Sequence, residues 1–311
     1  MSKYVPILDP IYGLPVDPSR GKVFIGLIEV VASNGNGDPD EAGKPRTDSQ
    51  DRHFIRDAAI KRRIRDAAKL QGAKLWMDHG VNLQRSFDPY TRGDVVAMDD
   101  AYADLWDLRL FGGTATAEGR GKTWKGQPIR NVGAGPLQMT RATSLDPVNI
   151  AEIGLTRVAH GKESDDGDAR ANMGRQYVVD YALCRFHGEY LPSAARGMVS
   201  ADDLSIFFRA LIESCESSRS AARMGVNLRK LFVFDFPVSG SRMEPKHVMQ
   251  SRVIAQKDPD VLSPTKLGDY EIGVDTNGLP GDVQVYTWND GETEVVPQGS
   301  RFASVERTFS I

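Results

Sequence analysis

Residues 23–32, VFIGLIEVVA, form a β-branched and aliphatic run that ends abruptly at Ser33-Asn34-Gly35. Such a run reads as a buried strand followed by a loop, because apolar side chains on both faces must be covered. Downstream the pattern switches to helical spacing. Asp48, Ser49 or Asp51 can cap a helix that continues to about Leu70, with Ile60, Ile64 and Ala67 on one face and Arg52, Arg56 and Arg63 on another. Residues 135–145 suit a strand, and residues 177–190 resume strand character. Ser200 with Asp203 makes a capping box, and Leu204, Phe207, Phe208, Leu211 and Cys215 follow at helical spacing. Residues 230–236 are a further aliphatic and aromatic strand. The order strand, helix, strand, strand, helix, strand is the ferredoxin-like α+β pattern (βαββαβ), one of whose uses is presenting RNA on a four-stranded sheet.

Between these elements lie stretches of different character. Residues 71–98 give mixed signals and read as an inserted excursion. Asp99 or Asp100 can cap a short helix carrying Tyr102, Leu105 and Trp106, with Gly112-Gly113 as its stop. Residues 161–172, GKESDDGDARAN, are too polar to be core and read as a protruding hairpin. Weaker strand signals recur at 283–288 and 293–296.

Charge is segregated along the chain. From Arg46 to Arg65 seven Lys and Arg stand against three acids, so the remaining 291 residues carry about −7 of a net −3. Before this segment comes SNGNGDPD at 33–40, whose Gly, Asn and Asp content lets backbone amides approach a ligand closely. An amide-rich loop running into clustered Arg suits phosphates, either of one nucleotide or of a polymer. The near-match to a phosphate-binding loop, GRGKT at 119–123, lacks its first glycine, since that position is Thr116. A loop Lys122 touching nucleic-acid phosphates is the better functional reading there.

Other chemistries find little support. Asp38, Asp40 and Asp48 could hold a divalent ion for phosphodiester cleavage, yet turn and cap duties account for all three. His53, His79, His160, His187 and His247 show no ligand spacing, and Cys184 and Cys215 show none either. No cofactor or metal is expected. The unpaired pattern of cysteines fits a reducing cytoplasm, and the most apolar run is too short to span a bilayer.

Several stretches together resemble a known family, the repeating backbone subunit of type I CRISPR surveillance (Cascade) complexes, nearest the type I-C form, with type I-B next. They are NGNGDPDEAGKPRTD at 34–48, IKRRIRD at 60–66, DLRLFGG at 107–113, GPLQMTRATSLDPV at 135–148, LTRVAHG at 155–161, MGRQYVVDYAL at 173–183, and SRSAARMG at 218–225 followed by KLFVF at 230–234. The family usually has Asn-Pro-Asn-Gly where this chain has Asn34-Gly35-Asn36-Gly37.

The resemblance implies an RRM-like palm made of residues 22–70, 99–145 and 176–237, with a finger-like excursion at 71–98. It also implies a thumb hairpin at 146–175 and a C-terminal extension, 238–311, packing on the palm. It further implies a non-catalytic scaffold that stacks head to tail as a homo-oligomer on CRISPR RNA and presents bases to target DNA. The other expected partners are the large subunit, the small subunit and the subunit that caps the crRNA 5′ end; no membrane is expected. By position, RNA contacts would come from Asn34, Gly35 and Asn36 in the loop, and from Arg46, Arg52, Arg56, Lys61 and Arg62 in the palm groove. Arg109, Phe111, Gly112 and Gly113 would add a close backbone approach, Gln138 and Arg141 the thumb base, and Arg157, Met173, Gly174 and Arg175 the thumb arms. Met173 could wedge against a displaced base. Two alternatives remain open at this level: a metal-dependent RNA endonuclease like the backbone subunit of type III complexes, and a monomeric RNA-recognition domain.

Overall fold

The computed structural model describes residues 4–82, 85–113, 123–124, 127–128, 132–157, 172–216, 221–238, 246–300 and 303–304. The elements that matter begin with β1 (Arg20–Ser33), β2 (Phe54–Ile55), α1 (Asp57–Leu70), α2 (Met98–Asp104) and α3 (Trp106–Phe111). They continue with β3 (Leu137–Met139), β4 (Ala142–Ser144), β5 (Ile150–Arg157), β6 (Asn172–Tyr190), α4 (Ala201–Glu216) and β7 (Val226–Pro237). After them come α5 (Lys246–Ser251), β8 (Val253–Lys257), β9 (Tyr270–Val274), β10 (Gln284–Asn289) and β11 (Glu292–Val296).

The fold is mixed α/β, organised on one large antiparallel sheet of order β11-β10-β7-β1-β6-β4-β2, with β3 and β5 also paired to β6. The central strand β1 is buried along nearly its whole length, as its continuous apolar run requires. Its even-numbered Phe24, Ile28 and Val30 face the helices, while Val23, Ile25 and Leu27 face the opposite side. In β7 the parity changes. Leu27 pairs with Lys230 and Ile28 with Leu228, so Arg229 is an extra residue. That bulge keeps Val226 and Leu228 on the helix side together with Leu231 and Val233, which strict alternation would forbid.

Helices α1 and α4 cover the first face through Ile60, Ile64, Ala67, Leu204, Phe207, Phe208 and Leu211. The capping box forms at α4, where Ser200 N–H donates to Asp203 Oδ2 at 2.8 Å and Asp203 N–H to Ser200 Oγ at 3.2 Å. The second face is covered too: Met249, Val253, Tyr270, Ile272 and Val274 from α5, β8 and β9 pack on Phe232, Phe234, Tyr181 and Leu183. Neither face of the central strands is open to a ligand. The excursion before α2 has its own small core of Trp76, Phe87, Val96, Met98 and Ala101.

Strand β6 is longer than the sheet it crosses. Its pairing with β1 runs from Tyr190 back to Val179, opposite Ser33, whereas its pairing with β5 continues on to Asn172 opposite Arg157. Residues 172–178 therefore form a two-stranded arm beyond the sheet. The polar hairpin expected at 161–172 lies almost wholly outside the described residues, as do the side chains of Arg157 and Met173, and Gly174 is described by its backbone alone. Most of the GRGKT loop lies outside them too.

Three local expectations are corrected. The first helix starts at Asp57 with Arg56 as its N-cap and no side-chain cap, not at Asp48, Ser49 or Asp51. Met98–Asp104 and Trp106–Phe111 are separate helices that break at Leu105, whose ψ of 106° is extended, and neither Asp99 nor Asp100 caps. The strand expected at 135–145 is two short strands interrupted at Thr140 and Arg141. Among the described residues no helix is long and apolar enough to cross a membrane.

Candidate nucleic-acid interface

The loop after β1 is built from its own polar groups. Asn34 is buried, and its amide donates to Gly43 O at 2.7 Å and to Tyr177 O at 3.3 Å, tying the loop to β6. Residues 37–38 pair with 44–45 as a miniature hairpin. Arg46 Nη1 meets Asp38 Oδ2 at 2.7 Å across that hairpin. The Asp48 carboxylate then accepts from Gln50 N–H at 2.9 Å and Arg52 N–H at 3.1 Å, closing a turn that sends the chain back along itself. Those two amide donations hold the Asp48 carboxyl below its usual range. An acid that sequence spacing offers as a helix cap is thus spent on a turn, and the helix begins later.

The returning chain places β2 against β4, pairing Phe54 with Thr143 and Ile55 with Ala142 at the sheet's edge. Asn36 fixes the entry to α1: its Oδ1 accepts from Arg56 N–H at 3.1 Å. Gly35 is required by crowding, because a Cβ there would collide with His53 and Ile55. Its carbonyl accepts from Arg63 Nη2 at 2.5 Å. His53 is fully buried with Nδ1 2.9 Å from Arg46 O, and burial pushes its pKa down to about 4. Asn34 Oδ1, Arg46 Nε and His53 Nε2 are buried with no hydrogen-bond partner among the described residues.

The cations of the basic segment divide into three groups. Arg63 and Arg65 are buried: Arg63 holds Gly35 O, and Arg65 Nε is 2.7 Å from Asp107 Oδ2. The expectation of Arg63 on a cationic face is therefore overturned, because its acceptor comes from a loop 28 residues earlier. Lys61 and Arg62 are tied internally. Lys61 Nζ donates to Gln138 Oε1 at 3.1 Å, lies 5.6 Å from the Phe111 ring centroid, and has a pKa lowered by burial. Arg62 bonds Asp66 and donates to Met77 O at 2.6 Å. Arg52 and Arg56 form the third group. Both precede α1, and neither has an ion pair or side-chain hydrogen bond among the described residues.

Neighbouring positions are mostly structural. Arg109 Nη2 is 2.7 Å from Asp203 Oδ1, inside the α4 capping box. Phe111 is core, in edge contact with Trp106 and Phe207. Gly112, at φ 63°, stops α3 as expected, and its close approach is to Gly133–Gly135 of the same chain. A Cβ on Gly113 would strike Trp76. Gln138 Nε2 donates to Phe111 O at 3.2 Å and Gly135 O at 3.1 Å. Arg175 is exposed on the β5/β6 arm, 3.2 Å from Glu152.

On the β2 edge, Arg141 lies over Phe54 and Lys44 over Tyr177, with cation-to-centroid distances of 4.6 Å and 5.3 Å. Sequence reading missed Lys44, Phe54 and Tyr177. The alternation Arg52, Phe54, Arg56 is a local hint. Among the described residues no group of three or more His, Cys, Asp or Glu gathers to hold a metal ion.

The geometry defines a mixed α/β protein whose central sheet is covered on both faces and whose loop edge carries Arg52 and Arg56, which have no ion pair among the described residues. The sequence model of one family, described as CRISPR-associated protein Cas7, matches residues 21–275. The chain belongs to the Cas7 family. Among solved structures, one described as "CRISPR RNA-guided surveillance complex, pre-nicking" is 14% identical with a TM-score of 0.45, covering 74% of this chain and 84% of that one. Another, described as "CRISPR RNA-guided surveillance complex", is 15% identical with a TM-score of 0.40, covering 74% and 80%. No curated protein matches the chain.

Proposed function

We propose that this chain is a non-catalytic, CRISPR RNA-binding backbone subunit of a Cascade-type complex, acting in the cytoplasm. Copies stack head to tail along the RNA, grip its phosphates, and present bases to target DNA beside the large, small and 5′-end-capping subunits. The palm is the ferredoxin-like, RRM-like unit β1-α1-β3/β4-β6-α4-β7, in which β7, β1, β6 and β4 take the 4-1-3-2 order of that fold. Residues 71–98 serve as a finger, 146–175 as a thumb, and 238–311 as an extension packed on the palm.

One observation carries the RNA-binding reading: Arg52 and Arg56, with no ion pair or side-chain hydrogen bond among the described residues, flank β2, and Arg141 lies over the Phe54 ring of that strand. Arg reads phosphate geometry without reading a base, which suits a subunit that must accept any guide. The sealed second face of the sheet disfavours a lone RNA-recognition domain, since such a domain stacks bases on that face. The RNA instead follows the edge.

The test is affinity for single-stranded RNA as a function of salt. Each phosphate contact contributes about 0.7 to the slope of log affinity against log salt. Replacing Arg52 and Arg56 by Ala should lower the slope by about 1.4 while leaving thermal stability unchanged. An unchanged slope would remove these residues from the interface. Reversing Lys61 and Arg62 is a poorer test, because both hold the fold together.

A further inference from the structure

Arg141 occupies the interruption between β3 and β4, one residue before the Ala142–Ile55 pair, and Phe54 pairs with the following residue, Thr143, at the sheet's edge. Its side chain is 50% exposed, and its nearest carboxylate, Asp48, is 4.0 Å away, at the limit of an ion pair. The guanidinium carbon lies over the Phe54 ring, 4.6 Å from its centroid. A guanidinium held this way has one face on a ring, an exposed remainder, and N–H donors around its rim. A single-stranded nucleic acid offers the two complementary groups, a bare base face and a phosphate a few ångströms away. A duplex does not, because its bases are already stacked on both sides.

We propose that Phe54 and Arg141 form a base-stacking platform for single-stranded RNA. Phe54 is the positioning residue: it fixes the guanidinium plane on which a base stacks, while the rim N–H groups donate to the neighbouring phosphate. This rests on the RNA-binding reading above, and adds a contact that senses the presence of a base and not its identity. Base stacking on protein groups is sequence-tolerant because every base has a π-face. A platform of this kind would keep one nucleotide of each repeat in a fixed orientation whatever the guide.

The experiment compares a single-stranded RNA oligomer with an abasic oligomer of the same length and charge, at several salt concentrations. Arg141→Lys preserves the charge and loses the plane. It should weaken binding of the base-bearing RNA about tenfold, leaving the salt slope and the abasic affinity unchanged. Phe54→Leu should do the same, and Phe54→Trp, which keeps a ring under the guanidinium, should retain binding. Equal loss on both oligomers, or loss accompanied by a reduced slope, would make Arg141 a phosphate contact and overturn the platform. Full affinity of Arg141→Lys for RNA would overturn it as well, and does not depend on how Phe54→Leu folds. If the unaltered chain bound neither oligomer, the RNA-binding reading would fall first and the platform with it.

Discussion

Asp107 offers a sharp separation of folding from binding in a segment dense with charge. It is fully buried, and its carboxylate accepts from Arg65 Nε at 2.7 Å, Trp76 N–H at 2.6 Å and Met77 N–H at 3.1 Å. It therefore joins α3, α1 and the excursion. Asp107→Ala leaves Arg65 buried without its partner, which costs about 3–5 kcal/mol, and orphans two amides at about 1–3 kcal/mol each if they stay dry. The three losses share one group and do not add, so about 5 kcal/mol is expected, comparable to the whole stability of a marginal domain. Urea denaturation should show a large fall in midpoint at constant slope. Arg65→Met with Asp107→Leu removes the charge pair together and should recover much of the loss, though not the part due to the two amides. A midpoint change worth less than about 1 kcal/mol for Asp107→Ala would refute the claim that Arg65 serves the fold and not the ligand.

Acid should destabilise the protein through His53. Its pKa is about 4 when folded against 6.5 when exposed, so the unfolded chain binds more protons and stability falls as pH drops from 6.5 toward 4. His187, whose pKa burial also lowers to about 4, feeds the same limb of a stability-against-pH curve, so His53→Gln should reduce it by about half, and an unaltered limb would exclude His53 as a source. At Gly112, where φ is 63° and a Cβ would meet Gly133 O, Gly112→Ala should lower the melting temperature by several degrees. A melting temperature equal to that of the unaltered chain would show that the α3 stop tolerates a side chain.

The parts of the fold legible in the sequence are those with local causes. The buried run of β1, the Ser200–Asp203 box and the aromatic strand ending near Phe236 each carry their signal within a few residues. Element order was readable for the same reason. The charge on α1 was not, because a helical wheel shows which residues share a face but not what lies opposite. Arg63 meets Gly35 and Arg65 meets Asp107, partners set by tertiary packing. The start of α1 failed for a related reason, as the Asp48 carboxylate was drawn into a turn. Lys44, Phe54 and Tyr177 went unnoticed since their meaning lies in pairs brought together by the strand order. The basic segment is real, yet much of its charge is structural, and the RNA contacts proposed above narrow to the residues flanking β2.

Copies of this chain are proposed to polymerise on RNA. Mass measurement of the purified chain mixed with single-stranded RNAs of increasing length tests it most directly. Head-to-tail stacking requires the number of chains per RNA to rise in steps, one for each fixed increment of length. One chain per RNA at every length would contradict it.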